Sequence, residues 1–284
     1  PGKFEGELMH SCQYRDPSVF DGKRVLIVGC GNSACDIAVD AVHRATNVDL
    51  SVRRGYYFLP KFIGGKPTDS LGGRIKLPRA LKQRLDALLI RFIVGSPSDY
   101  GLPDPAYKMY ESHPVINSLV LYHLGHGDIT PHGDIVGVVG KTVTFADGQS
   151  RVYDLILMAT GYKLDYPFID AAELNWQDAD APQLYLNVFH PQYRNLFMMG
   201  MVEAVGLGWE GRNEQAEMVA LYIKARQNDH PAARKLERKA SAEAGKTLDG
   251  GFDYLKLERM AYYVHKDSYR KAVNAHIADL KRGV

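Results

Sequence analysis

The first clear pattern of apolar and polar positions predicts a strand, a helix and a second strand. The segment from Lys23 to Gly29 has a continuous apolar core, Val25 to Val28, which is typical of a parallel strand buried on both faces. Val48 to Val52 predicts the next strand, so the whole is one crossover unit of about 30 residues. Between the strands, apolar residues recur at helical spacing and form one stripe: Ala34, Ile37, Ala38, Ala41, Val42 and Ala45.

A second amphipathic helix is predicted from Pro78 to Val94. We expect its apolar face to pack on a core while its basic face is solvated. The alternative is a helix that lies on a membrane surface, because such helices have the same composition. The apolar face contains Leu81, Leu85, Leu88, Leu89 and Phe92, and the other face contains Arg79, Lys82, Arg84 and Arg91.

The remaining patterns predict loops alternating with short elements. Glycine, proline and aromatic residues predict loops over residues 55–77 and 96–116. Asp147-Gly148 predicts a turn with β structure on both sides. The other predicted elements are a helix over Asn117–Leu124, strands over Val136–Phe145, Val152–Met158 and Asn195–Met199, a helix over Glu214–Gln227 and helical structure in the last 55 or so residues.

Composition excludes several classes of protein. Of the 284 residues, 45% are hydrophobic and 24% charged, as in a globular protein that buries a core, which excludes a disordered or fibrous chain. The formal net charge of +2 offers no concentrated basic face, so we do not expect nucleic-acid binding. Three cysteines without a C-x-x-C pair indicate a reducing, cytoplasmic compartment. No apolar stretch reaches the roughly 20 residues of a membrane span.

The strongest chemical signal is Gly29-Cys30-Gly31-Asn32-Ser33-Ala34, a G-x-G-x-x-A sequence between a predicted strand and a helix. Gly29 permits a sharp turn, Gly31 lets the backbone approach a pyrophosphate, and Ala34 lets the helix pack close to the sheet. We therefore predict a dinucleotide site there, with Asp36 on the same helix among its candidate residues. The alternative is a tight turn without a ligand.

The end of the second predicted strand indicates which dinucleotide is bound. An NAD site usually has an acidic residue there, whereas this chain has Arg53 and Arg54. Guanidinium groups pair with the 2′-phosphate of NADP, so we predict NADPH, the alternative being two solvated arginines. No metal is predicted, because no carboxylate or thiolate completes a site with His123 and His126, and catalytic residues stay unassigned.

Three motifs in a fixed order carry a family resemblance. The chain has F-x-G-x-x-x-H-x-x-x-Y from Phe4 to Tyr14, then G-x-G-N-S, and much later Ala159-Thr160-Gly161-Tyr162. Over residues 1 to about 225 the sequence resembles the flavin-containing monooxygenases. The resemblance includes the segments GKRVLIVGCGNSACDIA and HPVINS. Baeyer–Villiger monooxygenases usually have Trp-Pro where this chain has Tyr14-Arg15, so they are the less favoured branch.

The resemblance implies an α/β fold in which a doubly wound, Rossmann-like NADP-binding domain is inserted in an FAD-binding domain of the glutathione-reductase-like kind. Residues 1–16 would be an interdomain or FAD-domain segment, 17–155 the NADPH-binding domain, 156–228 the C-terminal part of the FAD-binding domain and 229–284 a helical C-terminal segment. Ala159, Thr160 and Gly161 would lie where the chain crosses between domains, and Gly208 would contact FAD.

The same resemblance implies an oxidoreductase of the N,N-dimethylaniline monooxygenase type. NADPH would reduce FAD, and the reduced flavin would form a C4a-hydroperoxide with O2 that oxygenates a soft nitrogen or sulfur atom of a small-molecule substrate. Asn32 and Ser33 would contact NADP, whereas His10 and Tyr14 would shape the interdomain hinge. Whether the chain forms a homo-oligomer stays open.

The chain departs from the family in one respect. The family has an earlier G-x-G-x-x-G for the FAD pyrophosphate, and no such motif precedes Gly29. We therefore expect the C-terminal part of a longer enzyme, which holds FAD weakly and leaves the strands at Asp154–Met158 and Asn195–Met199 with unpaired edges. The alternative function is an NADP-binding module without oxygenase activity.

Overall fold

The computed structural model describes residues 2–68 and 78–282, so the second part of the predicted loop 55–77, residues 69–77, lies outside the described residues. The described chain forms two compact units. The first contains residues 2–68, 78–109 and 114–161, and the second contains residues 110–113 and 162–282.

The strands are β1 Glu7–His10, β2 Arg24–Val28, β3 Asn47–Ser51, β4 Phe58–Leu59, β5 Phe62–Ile63, β6 Lys66–Pro67, β7 Val115–Ile116, β8 Ile129–His132, β9 Ile135–Val139, β10 Thr142–Phe145, β11 Ser150–Val152 and β12 Leu155–Met158. The helices are α1 Asn32–Val42, α2 Arg79–Val94, α3 Leu119–His126, α4 Gly208–Gln227, α5 Pro231–Ala242 and α6 Lys266–Lys281.

The first unit is built on a five-stranded parallel sheet with the order β1-β12-β2-β3-β8. One face packs against α1 and α3, through a core that includes Val25, Ile27 and Leu50 of the sheet. The other face packs against the antiparallel sheet β11-β10-β9, through Leu26 and Ile156. Because both faces are covered, β2 is apolar throughout its buried length, as the sequence predicts. The α/β class with a parallel sheet is therefore confirmed, with a small sheet in place of helices on the second face.

A buried carboxylate links the two sheets of the first unit. Asp49 of β3 is fully buried, and its Oδ2 accepts a hydrogen bond of 2.5 Å from the hydroxyl of Tyr153 and lies 3.2 Å from His132 Nε2. Burial, together with this hydrogen bond, raises the pKa of the Tyr153 hydroxyl. The side chain of Asn47 donates to the other carboxylate oxygen at 2.7 Å, so both oxygens of the buried group have partners.

The first residues of the chain contribute a strand that the sequence analysis does not predict. Strand β1 pairs in parallel with β12 from Glu7↔Leu155 to His10↔Met158. The expected unpaired edge at Asp154–Met158 is therefore wrong, because β12 lies between β1 and β2 and is bonded on both sides. Strand β1 is hard to recognise, since Leu8 is exposed at the sheet edge and the apolar run is short.

The orientation of α2 also differs from the expectation. The helix forms where the periodicity places it, but the apolar face predicted to pack on a core is exposed. Among its described residues only Gln83 and Ile90 are buried, and both lie on the opposite face. Gln83 Nε2 donates a hydrogen bond of 2.9 Å to the Met109 carbonyl oxygen, which satisfies a polar group on the inward side.

Short parallel strands mark the two ends of a long excursion from the parallel sheet of the first unit. Strand β4 pairs with β7, with Phe58 opposite Val115 and Leu59 opposite Ile116. The predicted loop beyond β4 contains a small hairpin of β5 and β6. The predicted turn at Asp147-Gly148 is present between β10 and β11, with Gly148 at a φ of +83°.

The second unit is a bundle of α4, α5 and α6 with extended segments packed on it. Its core contains aromatic side chains from two of the helices, Tyr222 of α4 and Tyr269 of α6. The buried amide of Gln215 accepts a hydrogen bond from the Gly200 N–H and donates one to the Tyr269 hydroxyl. This network fixes the segment before α4 against the bundle.

The predicted strand Asn195–Met199 is not a regular strand. The segment makes an isolated antiparallel bridge, Phe197 with Phe189, and a hydrogen bond from the Met198 N–H to the Val188 carbonyl oxygen. Its aromatic side chain packs into the helical core instead. Helix α4 begins at Gly208, six residues before the predicted start at Glu214.

Among residues 2–68 and 78–282, no helix is both long enough and apolar enough to cross a bilayer.

The buried histidine of α6 predicts a loss of stability in acid. His276 is 5% exposed, it bonds the Tyr185 hydroxyl at 2.8 Å, and burial, reinforced by Lys239, lowers its pKa to about 4. An unfolded histidine titrates near 6.5, so between about pH 6.5 and pH 4 the unfolded chain binds more protons and stability falls as pH falls. We expect the fall to reach about 3 kcal/mol for this residue, measured by denaturant unfolding across that range.

The matched variants for this measurement are His276→Gln and His126→Gln. The first should reduce the fall in stability between about pH 6.5 and pH 4 by about 3 kcal/mol, because glutamine carries no titrating group, whereas the second removes an exposed histidine and should leave the fall as it is in the parent. The fall that remains in His276→Gln is assigned to His113, whose pKa is also lowered by burial to about 4. A fall of the same size in His276→Gln as in the parent would contradict the assignment to this histidine.

Candidate nucleotide site

The glycine turn lies at the point where the order of the parallel strands reverses. From β2 the chain proceeds through α1 to β3 on one side, while β12 occupies the other side of β2. In open α/β sheets, ligands bind in the crevice beyond the carboxyl ends of the strands at such a point. Residues 29–34 lie at that carboxyl end, so the topology alone marks this position as a candidate site.

Gly29 is required by the fold itself. Its φ of +122° is a conformation that residues with a side chain rarely adopt. A Cβ atom at this position would overlap the carbonyl oxygen of Ala159, and the Gly29 N–H donates a hydrogen bond of 3.0 Å to Ser51. The turn thus lies tightly between the ends of β12 and β3, and a structural role is enough to explain this glycine.

Gly31 has no such structural requirement. Its φ of −77° and ψ of 175° are open to any residue, and a Cβ atom built there would have no protein heavy atom within 4 Å. Because glycine has no side chain, the backbone immediately before α1 borders an open space, here called the cradle. The fold itself therefore does not require glycine here, and close approach of a ligand to the backbone would account for it.

The start of α1 is suited to an anion. Gly31 is the N-cap and makes no side-chain cap bond, and the first turn contains no acidic residue. The first N–H groups of a helix have no partners within the helix, and the dipole is positive at this end. A phosphate group would satisfy these donors.

Three residues of the glycine motif and its helix act through packing. Cys30, Ala34 and Cys35 are buried in the core between the sheet and α1. The hydrogen bond to Cys30 and burial raise the pKa of the Cys35 thiol, which makes it a poor nucleophile. Ala34 is fully buried, in agreement with the predicted close contact of helix and sheet.

The polar residues near the start of α1 have two different roles in the structure. Asn32 Oδ1 accepts a hydrogen bond of 2.8 Å from the Ile116 N–H, and Asp36 Oδ1 accepts one of 2.6 Å from the Asn117 side chain. Both residues thus hold α1 to the segment before α3. Ser33 is exposed at the helix start, where its side chain faces solvent.

Asn117 is a residue of this site that the sequence analysis did not select. Its side chain is 2% exposed, it donates to Asp36, and it accepts a hydrogen bond of 2.8 Å from the Val120 N–H. The segment HPVINS, which carries part of the family resemblance, contains this residue, but only the fold brings it to α1.

The two arginines lie at the carboxyl end of the strand beside β2. They follow Ser51, the last residue of β3, whose carbonyl oxygen bonds Gly29. Arg53 is exposed, whereas Arg54 is half-buried, with its Nε donating to the Tyr56 hydroxyl at 3.2 Å and its guanidinium 5.9 Å from the ring centre. Two cations beside the glycine turn fit the phosphate that distinguishes NADP from NAD.

The segment Ala159-Thr160-Gly161 meets the glycine turn directly. The Ala159 N–H donates a hydrogen bond of 2.8 Å to Val28, and its carbonyl oxygen is the atom that leaves no room for a side chain at Gly29. Gly161 has a φ of +95°, and its carbonyl oxygen lies 3.2 Å from His10 Nε2. The fold thus brings together two motifs that lie about 130 residues apart in the sequence.

The residues of the N-terminal motif have structural contacts in the same region. A Cβ atom at Gly6 would lie 2.7 Å from the carbonyl oxygen of Asp154, so close pairing of β1 and β12 requires glycine there. The Tyr14 hydroxyl donates a hydrogen bond of 2.7 Å to Asp40 of α1, and its ring stacks on Phe20. Burial, followed by this bond to Asp40, raises the pKa of Tyr14.

In the second unit, Gly208 opens α4 in a conformation that favours glycine. Its φ is +51°, and a Cβ atom there would meet nothing within 4 Å. The next residue, Trp209, is 86% exposed, and the guanidinium of Arg212 lies 5.9 Å from its ring centre. Arg212 also bonds the carbonyl oxygens of Val202 and Gly208, which fixes the turn before the helix.

Comparison with known proteins places this geometry in context. The family described as flavin-binding monooxygenase-like matches residues 1–278. Flavin-containing monooxygenase 1 of Mus musculus is 28% identical over 96% of this chain and 53% of its own length. Flavin-containing monooxygenase 5 of Cavia porcellus is 32% identical over 72% of this chain and 40% of its own length. The chain thus spans about half the length of the curated relatives it matches.

Solved structures agree on the fold. A cyclohexanone monooxygenase variant from Rhodococcus sp. Phi1, bound to NADP+, superposes with a TM-score of 0.63 at 16% identity. The match covers 99% of this chain and 69% of that one. At this identity the likeness supports the architecture only.

The two glycines of the turn should respond oppositely to substitution. We expect Gly29→Ala to lower the free energy of unfolding by at least about 2 kcal/mol, because it combines a positive φ with a backbone overlap. We expect Gly31→Ser to leave stability unchanged or to raise it, because serine is a better N-cap than glycine and has room. Denaturant unfolding of both variants measures this difference, and equal losses would contradict the geometry described for Gly31.

Proposed function

Because the chain belongs to the flavin-binding monooxygenase-like family, we propose that its first unit binds NADPH at the turn of residues 29–34 and serves an FAD-dependent monooxygenase. The observation that carries this proposal is the open cradle at Gly31, directly before the uncapped start of α1. A pyrophosphate fits such a cradle because the backbone donors there can reach its oxygens without hindrance from a side chain.

NADPH rather than NADH is the proposed coenzyme. Arg53 and Arg54 follow the strand beside β2, the position from which the adenosine ribose is recognised in this architecture. Tyr56 bonds Arg54 through its hydroxyl and so restrains the guanidinium before a ligand arrives. Restraint in advance lowers the entropic cost of pairing with a phosphate.

FAD is the second proposed cofactor, with Ala159–Gly161 and Gly208 as candidate contacts. Both glycines have a positive φ, and a Cβ atom at either position would meet no protein atom within 4 Å, so both leave backbone open to a ligand. FAD, when bound, supplies the redox chemistry and the reaction with O2. The protein groups in this proposal bind and orient the cofactors and exclude water from them.

The proposed substrate is a small molecule with a soft nitrogen or sulfur nucleophile. This part rests on the N-terminal motif from Phe4 to Tyr14, which resembles that of flavin-containing monooxygenases. A ketone-oxidising Baeyer–Villiger activity is less favoured, because Tyr14-Arg15 stands where those enzymes usually have Trp-Pro. In this structure His10 and Tyr14 bond backbone and Asp40, so we assign them positioning roles.

A second candidate function is an NADP-binding module without oxygenase activity. It rests on the same open cradle at Gly31 and the same arginine pair, because these groups can bind a dinucleotide without a flavin. Absorbance of the purified chain separates the two functions. A flavin band together with NADPH-dependent O2 consumption supports the oxygenase, whereas colourless protein that prefers NADPH to NADH supports the module.

The arginine pair generates a prediction about coenzyme choice. We expect Arg53→Ala with Arg54→Ala to weaken NADPH binding by about 10- to 100-fold, since hydrogen bonds to charged groups contribute roughly 1.5–3 kcal/mol. NADH binding should be unchanged, because NADH lacks the 2′-phosphate. Titration calorimetry with both coenzymes measures the two affinities.

The matched control for the arginine pair is Arg44→Ala, which removes an exposed arginine at the other end of α1 and should change neither affinity. Equal losses for NADPH and NADH in the double variant would overturn the proposed contact with the 2′-phosphate. Gly31→Ser should abolish binding of both coenzymes, since its side chain fills the cradle shared by both pyrophosphates.

A further inference from the structure

A groove in the second unit has the size of a small-molecule site. It is lined by residues 189–194, by Tyr222 and Arg226 of α4, and by residues between 229 and 242 in α5 and the turn before it. Its volume is about 840 Å³, within the roughly 300–1,000 Å³ of cavities that hold small ligands. We call it the α5 groove. Among the described residues it shares no lining with the turn of residues 29–34 or with Gly208, so the proposed cofactor contacts do not use it.

Positive charge predominates in the α5 groove. The lining contains two carboxylates, those of Asp229 and Glu237. Its guanidinium groups belong to Arg194, Arg226, Arg234 and Arg238. Four guanidinium groups against two carboxylates give the groove a net charge of +2 with its histidines neutral, which equals the formal charge of the whole chain. A concave surface with such an excess raises the local concentration of anions.

The excess comes from arginines that lack a carboxylate of their own. Arg234 is balanced, because its guanidinium bonds the aspartate of the groove. Arg194 and Arg226 share one carboxylate, that of Glu237. Arg238 is exposed and forms no ion pair with any described residue. Positive charge is thus left over both around Glu237 and at the next residue of α5.

Glu237 restrains two of these guanidinium groups from their inner edge. Its side chain is 15% exposed and accepts a hydrogen bond of 2.9 Å from the Tyr222 hydroxyl. The Nε atoms of Arg194 and Arg226 lie 3.5 Å and 3.7 Å from its two oxygens. Arg226 Nη1 donates to the Arg194 carbonyl oxygen, whereas the two terminal nitrogens of Arg194 bond no described residue. These donors are therefore held in place and open to an anion.

His190 gives a second, independent indication of a ligand. It lines the groove, is 6% exposed, and its Nδ1 accepts hydrogen bonds of 3.1 Å and 2.9 Å from the N–H groups of Gln192 and Tyr193. Burial lowers the pKa of His190, so the imidazole is neutral at pH 7 and its proton is on Nε2. Nε2 is buried and bonds no described residue. Because a buried N–H donor without an acceptor is costly, an oxygen atom of a ligand would stabilise this arrangement.

We propose that the α5 groove binds a phosphorylated small molecule, with the phosphate held by Arg194, Arg226 and Arg238 and by the Nε2–H of His190. A carboxylate has two oxygens and is saturated by one guanidinium fork, whereas a terminal phosphate has three free oxygens and accepts from several. The three arginines come from three parts of the chain, the segment before α4, α4 itself and α5, and so can surround a tetrahedral group. The proposal is independent of the proposed nucleotide site.

Titration of the full chain with inorganic phosphate, followed by NMR of the histidine side chains, tests the proposal. The signal of His190 is the one missing in His190→Asn, in which the amide oxygen replaces Nδ1 as acceptor for the two backbone N–H groups. We expect the Nε2 signal to change saturably at millimolar phosphate, and the pKa of His190 to rise, because an anion stabilises the protonated imidazole. Absence of a saturable change overturns the proposal.

Two further arms of this titration identify the ligand class and the site. Succinate should act at least about tenfold more weakly than phosphate, since its carboxylates are planar, and equal action overturns the assignment to phosphate. Gly31→Ser, which fills the cradle of the nucleotide site, should leave the response of His190 unchanged. A response lost in Gly31→Ser overturns the assignment to the α5 groove. NADPH binding that fails in the parent while His190 responds contradicts the proposed function and supports the groove.

Two arginine variants test the proposed contacts. Arg194→Gln with Arg238→Gln should weaken phosphate binding by at least about tenfold, because charge-assisted hydrogen bonds are lost. The matched control is Arg282→Gln, which removes an exposed arginine of the second unit outside the groove and should bind phosphate as the parent does. Both should unfold at the parent's denaturant concentration, since exposed ion pairs contribute little to stability. Equal phosphate binding by the double variant and the parent overturns the proposal.

Discussion

The fold of the first unit depends on one close approach, between the end of β2 and the end of β12. The carbonyl oxygen of Ala159 lies where any side chain at position 29 would have to be, so only glycine lets the chain turn there. That turn sets the direction of α1, and the hydrogen bond from Gly29 to Ser51 sets the end of β3 beside it. The close contact between Gly29 and Ala159 therefore determines where the cradle at Gly31 and the two arginines lie.

Local patterns were enough to predict the centre of this unit. Strand β2, helix α1 and strand β3 were predicted within three residues of their bounds, because a fully covered sheet requires continuous apolar strands and an amphipathic helix. Strand β1 escaped prediction, because Glu7–His10 pairs with residues almost 150 positions away and exposes Leu8. Its stability comes from long-range pairing, which no local pattern records.

The candidate site was predictable in its parts and not in its arrangement. The glycine motif and the arginine pair could be predicted from residue type and spacing, and the places of the two glycines in the motif predicted a different role for each. The sequence does not show that Ala159 is the neighbour that requires glycine at position 29, or that Gly31 faces open space, because both depend on contacts between distant parts of the chain. In α2, periodicity correctly predicted an amphipathic helix but could not say which face meets the protein, since the partner of Gln83 is the distant Met109.

The pairing of β4 with β7 has a consequence for how this architecture tolerates change. Phe58 and Val115 are neighbours, and Asn32 and Asp36 of α1 bond Ile116 and Asn117. The intervening excursion therefore departs and returns at nearly one place. A segment whose two ends are held together in this way can be replaced as a unit. Its length and content can diverge among homologues, or be exchanged in an engineered chimaera, while the sheet and the turn beneath keep their geometry.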